Sequence, residues 1–250
     1  MNKTKTTSPK TVTKASRPAL FTLKVVEKDN SKFYPEYFVL TQAVEAVNTL
    51  DSLYGVQREG KKGPSEHWEQ DLCRAMLVFA CAGLDVFLKQ LIKLKLPELI
   101  EHDPAVKIRF QKYVLGKMED DGKIKASVLA LALISDSPKD ILLNTYLESF
   151  TGESLQSVQQ LKNISEAFAL PTKTLIKARQ GKLDGAFAVR NSIIHEMDIN
   201  VEKSRSTGHR TRYQRTYPVL ADHVKTVLKL AEDIFESCKE KFEAPTKDKK

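Results

Sequence analysis

Residues 75–96, AMLVFACAGLDVFLKQLIKLKL, decide the fold. The run approaches the roughly 20 apolar residues that a membrane-spanning helix needs. Asp85, Lys89, Lys93 and Lys95 interrupt it where a spanning helix could not easily hide them, so the stretch predicts a buried core helix and no membrane span. Ser65 followed by Glu66 opens this helix, Trp68, Leu72, Met76 and Phe79 continue one face of it, and Pro97 follows its expected end, giving a span of 66–96.

Working outward, PEYFVLTQAVEAVNTLDSLYG has apolar residues at three and four spacing and predicts a helix over about 36–54 that stops at Gly55. The segments 104–117, 122–135, 138–150 and 154–169 read as shorter helices separated by the turn-forming stretches EDDGK, SDSP and TGES, so 104–179 is expected to be a helical insertion. Two further helices are expected at 183–198 and 218–241, the last with Val219, Val224, Val227, Leu228, Ala231 and Ile234 facing inward. Four strong helices in one chain predict an all-α bundle, a single domain over 33–243. Residues 20–28, LFTLKVVEK, suit a short strand or an extended lead-in.

Charge is concentrated. The chain carries a net +8, and residues 1–32 hold eight Lys or Arg against Glu27 and Asp29. Lys, Thr, Ser and Pro dominate 1–18, so 1–32 is expected to be a basic, largely disordered arm, with a second disordered tail at 244–250. A second basic zone, 200–217, carries Lys203, Arg205, Arg210, Arg212 and Arg215 against Glu202. Two basic zones on a nearly neutral body point to a polyanionic partner. The second zone reads either as a two-stranded ribbon with Ser206, Thr207 and Gly208 at its tip, or as an exposed loop whose tyrosines pack back on the bundle. In the ribbon, Tyr213, Arg215 and Tyr217 share one face and Arg210, Arg212 and Gln214 the other. Arginine interleaved with tyrosine suits single-stranded RNA, because phosphates need cations and bases need flat surfaces. Lys203, Arg205, Arg210, Arg212, Tyr213 and Arg215 are therefore the candidate RNA-binding residues.

Cys73, Cys81 and Cys238 form no C-x-x-C pair, and the first two lie eight residues apart on one helix, so reduced core thiols are expected. No apolar leader precedes a cleavage site, which predicts a cytoplasmic setting. No phosphate-binding glycine loop, nucleophile elbow or dinucleotide fingerprint is present, and no cofactor is expected. His195, Glu196 and Asp198 lack a second histidine at ligand spacing, so no metal is expected either.

The sharpest signal is FAVRNSIIHEMDIN, residues 187–200. Arg190, Asn191 and His195 fall on an amphipathic helix beside the apolar stripe of Ala186, Val189 and Ile193. Asn191 and His195, four apart, share a face, whereas Arg190 and His195, five apart, diverge by about 140°. Histidine moves protons near neutrality and arginine forks onto phosphate oxygens, the two requirements for cleaving RNA with its own 2′-hydroxyl. RNSIIH resembles the R-(polar)-x-x-x-H signature of the HEPN superfamily, helical domains many of which are metal-independent ribonucleases. LVFACAGLDVFLKQLI is similar to the long helix of the RiboL-PSP type of HEPN domain. The resemblance covers about 36–100 and 180–240. It implies a HEPN-like bundle, catalytic roles for Arg190, His195 and Asn191, and a homodimer with facing motifs. It further implies a toxin or antiviral effector acting on RNA, with an antitoxin or other regulatory partner. Asp85, as a buried acid that could neutralise Arg190, and Asp198 are read as supporting residues. The alternative is a non-catalytic helical module that binds RNA or a protein partner.

Overall fold

The computed structural model describes residues 18–24, 33–119, 126–209 and 211–243. The chain is all-α over these residues: α1 (Tyr34–Arg58), α2 (His67–His102), α3 (Pro104–Glu119), α4 (Ala126–Ile134), α5 (Pro138–Thr151), α6 (Val158–Ala167), α7 (Thr172–Leu175), α8 (Gln180–Glu196), α9 (Val201–Thr207) and α10 (Tyr217–Glu243), with one 3-10 turn at Lys177–Arg179. The central element is α2, which packs against α1, α3, α5, α8 and α10. Its buried side is Cys73, Met76, Leu77, Ala80, Cys81, Leu84, Phe87, Leu88, Leu91 and Ile92. Trp68 and Phe79, expected on that side, are exposed, because a helix that is apolar nearly all round has no unique face to read. By length and composition α2 could cross a membrane, yet half of its most apolar window is buried inside the fold.

Both long N-terminal helices outrun their expected ends. α1 continues through Gly55 to Arg58, whose guanidinium is anchored on the Gly63 carbonyl (2.6 Å) and on the buried Glu69 carboxylate (3.2 Å). Glu69 also closes the start of α2 in a capping box with Glu66, so the N-cap is Glu66, one residue beyond Ser65. At the other end α2 passes through Pro97. The proline forfeits one helical N–H bond, and burial of Leu96, Leu99 and Ile100 outweighs that loss.

Close packing of α1 on α2 depends on Gly83, where an added Cβ would lie 2.2 Å from the Ala43 Cβ. Gly83→Ala is expected to destabilise the fold by about 1–3 kcal/mol through overpacking, read as a lower urea midpoint. An unchanged midpoint would mean that the two helices separate freely.

Of the basic arm, residues 18–24 are docked. Leu20, Phe21 and Leu23 pack against the core, and Phe21 exchanges two backbone hydrogen bonds with the Asn48 side chain (3.1 and 2.8 Å). The Lys24 amide donates to Glu232 (3.1 Å). The apolar residues in this piece account for the departure from a disordered arm. It is an extended lead-in with no strand pairing, and the rest of the expected arm, 1–17 and 25–32, and the expected tail, 244–250, lie outside the described residues. In α10 the inward positions include Leu220 and Leu230 with Val224, Val227, Leu228, Ala231 and Ile234, while Val219 points out. All three cysteines are free and buried.

Candidate functional site

α8 ends at Glu196 because two consecutive residues, Met197 (φ 53°) and Asp198 (φ 57°), adopt left-handed backbone, and the Asp198 amide turns back to the Ser192 carbonyl (2.9 Å). Arg190, Asn191 and His195 therefore sit in the last two turns of a helix whose exit is sharply fixed. His195 and Asn191 are exposed and Arg190 is half-buried. The Arg190 Nη1 donates to Asn191 Oδ1 (3.0 Å), and its Nε is buried with no hydrogen-bond partner. The guanidinium also lies within electrostatic reach of Cys81 on α2, where burial pushes the thiol up to about 12 and the arginine charge pulls the other way.

Asp85 does not neutralise this arginine. Its carboxylate accepts from the Leu155 amide (2.6 Å) and pairs with Lys89 one turn along α2 (3.0 Å), so it fastens the segment after α5 to the central helix. Among the described residues Arg190 makes no ion pair at all, which leaves an uncompensated cation at the end of α8 that also carries His195.

Asp198, read as a supporting residue, is fully buried. It pairs with Arg74 of α2 (2.8 Å) and with Arg215 (2.8 Å), and it accepts more weakly from Ser192 (3.4 Å). Burial alone would raise its carboxyl, but hydrogen bonds and charge from Arg215 and Arg74 more than reverse this and hold it below the usual aspartate range. Arg74 is itself buried, and it donates further to the Tyr213 carbonyl (2.7 Å). Sequence reasoning missed Arg74. The signal was present as an arginine breaking the apolar face of the central helix, since a charge there requires a buried partner.

Of the two readings of 200–217, the two-stranded ribbon is not formed among the described residues. Asn200 caps α9 by accepting from the Lys203 amide (2.9 Å), Gly208 ends it in left-handed backbone, and the only β pairing among the described residues is an isolated bridge between Ile199 and Arg212. Helix-forming VEKSRST with an Asn cap outcompetes the two-stranded arrangement. The six candidate RNA-binding residues are consequently split. Lys203 and Arg205 are exposed on α9 with no ion pair among the described residues. Arg212 is committed to Asp71 (2.8 Å) and the Met197 carbonyl (3.2 Å), and Arg215 to Asp198, with its guanidinium over the Tyr213 ring (4.8 Å). Tyr217 packs back on the bundle, stacked on Tyr54 and donating to Asp51 (2.7 Å). Arg210 lies outside the described residues.

The fold and site together define a helical-bundle protein with an uncompensated arginine and an exposed histidine on one helix end. Compared with known protein families, curated proteins and solved structures, the chain matches none.

Proposed function

We propose that the chain is a metal-independent endoribonuclease of the HEPN type, cleaving single-stranded or structured RNA, tRNA included, to 2′,3′-cyclic phosphate ends. The observation that carries this reading is the Arg190 guanidinium, positioned by Asn191 and neutralised by no described carboxylate. A phosphate oxygen is the natural counter-ion for such a group, bound through two parallel N–H bonds. In the reaction the 2′-oxygen bonds to phosphorus as its proton leaves to a base, the P–O5′ bond breaks, and the 5′-oxygen takes up a proton. His195 performs the proton transfer, and Arg190 stabilises the charge that builds on the phosphorus oxygens.

Because Arg190 and His195 point about 140° apart, one copy of α8 presents them poorly to one phosphate. The active species is a homodimer in which Arg190 of one copy works with His195 of the other. Phe79, Ala82 and Val86 are exposed on α2 and Ile194 is exposed on α8, apolar side chains that a second copy would cover. A toxin or antiviral role in the cytoplasm, restrained by an antitoxin or other regulator, fits this activity.

The test is incubation of the purified chain with RNA in EDTA, followed by end-group analysis. Fragments with 2′,3′-cyclic phosphate ends are expected. RNA that stays intact while the protein retains it in a filter-binding assay would replace this reading with a non-catalytic RNA-binding module, for which the exposed Lys203 and Arg205 on α9 provide the cations. A monomer at micromolar concentration in sedimentation would remove the shared site.

A further inference from the structure

The middle helices, which the motif on α8 leaves without a role, frame an open cleft of about 510 Å³ between α3, α5 and α6. Openings of this size accept small ligands. Arg109 and Lys112, one turn apart on α3, stand at one side; Asn163 and Glu166, one turn apart on α6, stand at another. The floor is aromatic. Tyr146 is 3% exposed and packs its ring against Phe110 (5.3 Å between centroids), Tyr113 (4.6 Å) and Phe150 (4.9 Å).

What singles the cleft out is unspent polarity. Among the described residues Arg109, Lys112 and Glu166 make no side-chain hydrogen bond or ion pair, although cations and a carboxylate line one cavity. The Tyr146 hydroxyl is carried on a buried ring that lines the same cavity. Burial pushes that phenol up to about 12, so it stays protonated and available as a donor. Asn163 differs in that its Oδ1 already accepts from Gln159 (2.9 Å), which turns the remaining Nδ2 hydrogens into free donors.

We infer that this cleft binds a free guanine nucleotide. Arg109 and Lys112 take the phosphate, and the partly exposed rings of Tyr113 and Phe150 give the base an apolar wall. Glu166 accepts from the guanine N1–H and N2–H groups, and Asn163 Nδ2 donates to O6. Adenine would turn its N1 lone pair toward the Glu166 carboxylate, and a pyrimidine covers less of the Tyr113 and Phe150 rings. The assignment is independent of RNA cleavage, because none of these residues belongs to the α8 site.

Calorimetric titration of the full chain with GMP, AMP, UMP, inorganic phosphate and a single-stranded oligoribonucleotide tests it. One GMP per chain is expected, with AMP and UMP weaker by about tenfold or more, a difference of about 1.4 kcal/mol. The double substitution Arg109→Ala with Lys112→Ala should weaken GMP by at least about tenfold, and Glu166→Gln should erase the preference over AMP. These side chains are exposed, so circular dichroism should show an unchanged fold. His195→Ala should bind GMP as the parent does, which keeps this result separate from the fate of the ribonuclease reading. Equal affinity for the three nucleotides, phosphate binding as tightly as GMP, binding by the oligoribonucleotide alone, or indifference to the Arg109 and Lys112 changes would each overturn the assignment.

Discussion

Replacing Asp198 with Asn is expected to cost about 3–5 kcal/mol of stability, because it leaves two arginines facing a neutral group, one of them buried. Arg74 has a side chain only 3% exposed and Arg215 one only 20% exposed, so water cannot take over the role of the carboxylate. Asparagine is the informative choice, since it tolerates the left-handed backbone at this position and removes only the charge. For a domain whose whole stability is of order 5–15 kcal/mol, the loss is large. The pH dependence has a defined sign. The carboxyl of Asp198 is held below its ordinary range in the folded chain. Its contribution is therefore complete above the unfolded value of about 4, and it is lost as the pH falls through the lower folded value. Urea unfolding of parent and Asp198→Asn at neutral pH and at pH 3 should show the gap between them narrowing in acid. A neutral-pH loss below about 1 kcal/mol, the range of solvated surface pairs, would mean that the network is open to water.

The same network explains which parts of the molecule were legible in the sequence. Long helices with apolar spacing were readable because burial of one side is a local pattern, and α1, α2, α8 and α10 stand close to their expected places. Helix ends were less so. Gly55 and Pro97 are local stop signals, and each was overridden by a contact from elsewhere in the chain: Arg58 on Glu69 in one case, burial of Leu99 and Ile100 in the other. At 200–217 the ribbon reading fails for a related reason: it leaves every arginine available to RNA, whereas Arg212 pairs with Asp71 and Arg215 with the buried Asp198. Partners 124 residues apart, such as Arg74 and Asp198, leave no trace in local spacing. The residues of the α8 motif were legible as chemistry, and the separation of Arg190 from His195 followed from helical pitch alone. The absence of an Asp85 partner for Arg190 did not, because it depends on where Lys89 and Leu155 sit relative to that acid.

On the proposed ribonuclease reading, His195→Ala is expected to lower RNA cleavage by about 10²–10⁴-fold, the usual worth of a positioned proton-transfer group. The side chain is exposed and the substitution should leave thermal unfolding unchanged, so the effect is assignable to chemistry. Arg190→Lys should be nearly as damaging, because an ammonium keeps the charge but cannot fork onto two phosphate oxygens or reproduce the bond to Asn191. The angular separation of the two residues makes a stricter demand. If each site takes Arg190 from one copy and His195 from the other, a chain with His195→Ala and a chain with Arg190→Ala are each inactive alone, yet a mixed dimer of the two contains one intact site. Equal mixing gives half mixed dimers with one of two sites restored, so recovery to about one quarter of parental activity is expected for a twofold assembly. A site built within one copy predicts the opposite: every site in the mixed dimer lacks one of the two residues, and mixing restores nothing. Mixing must follow co-expression or reversible dissociation, with the mixed species verified by mass. Recovery then reads out the geometry of α8 directly, and its absence, alongside a confirmed mixed dimer and an active parent, would place both groups on a phosphate reached by a single chain.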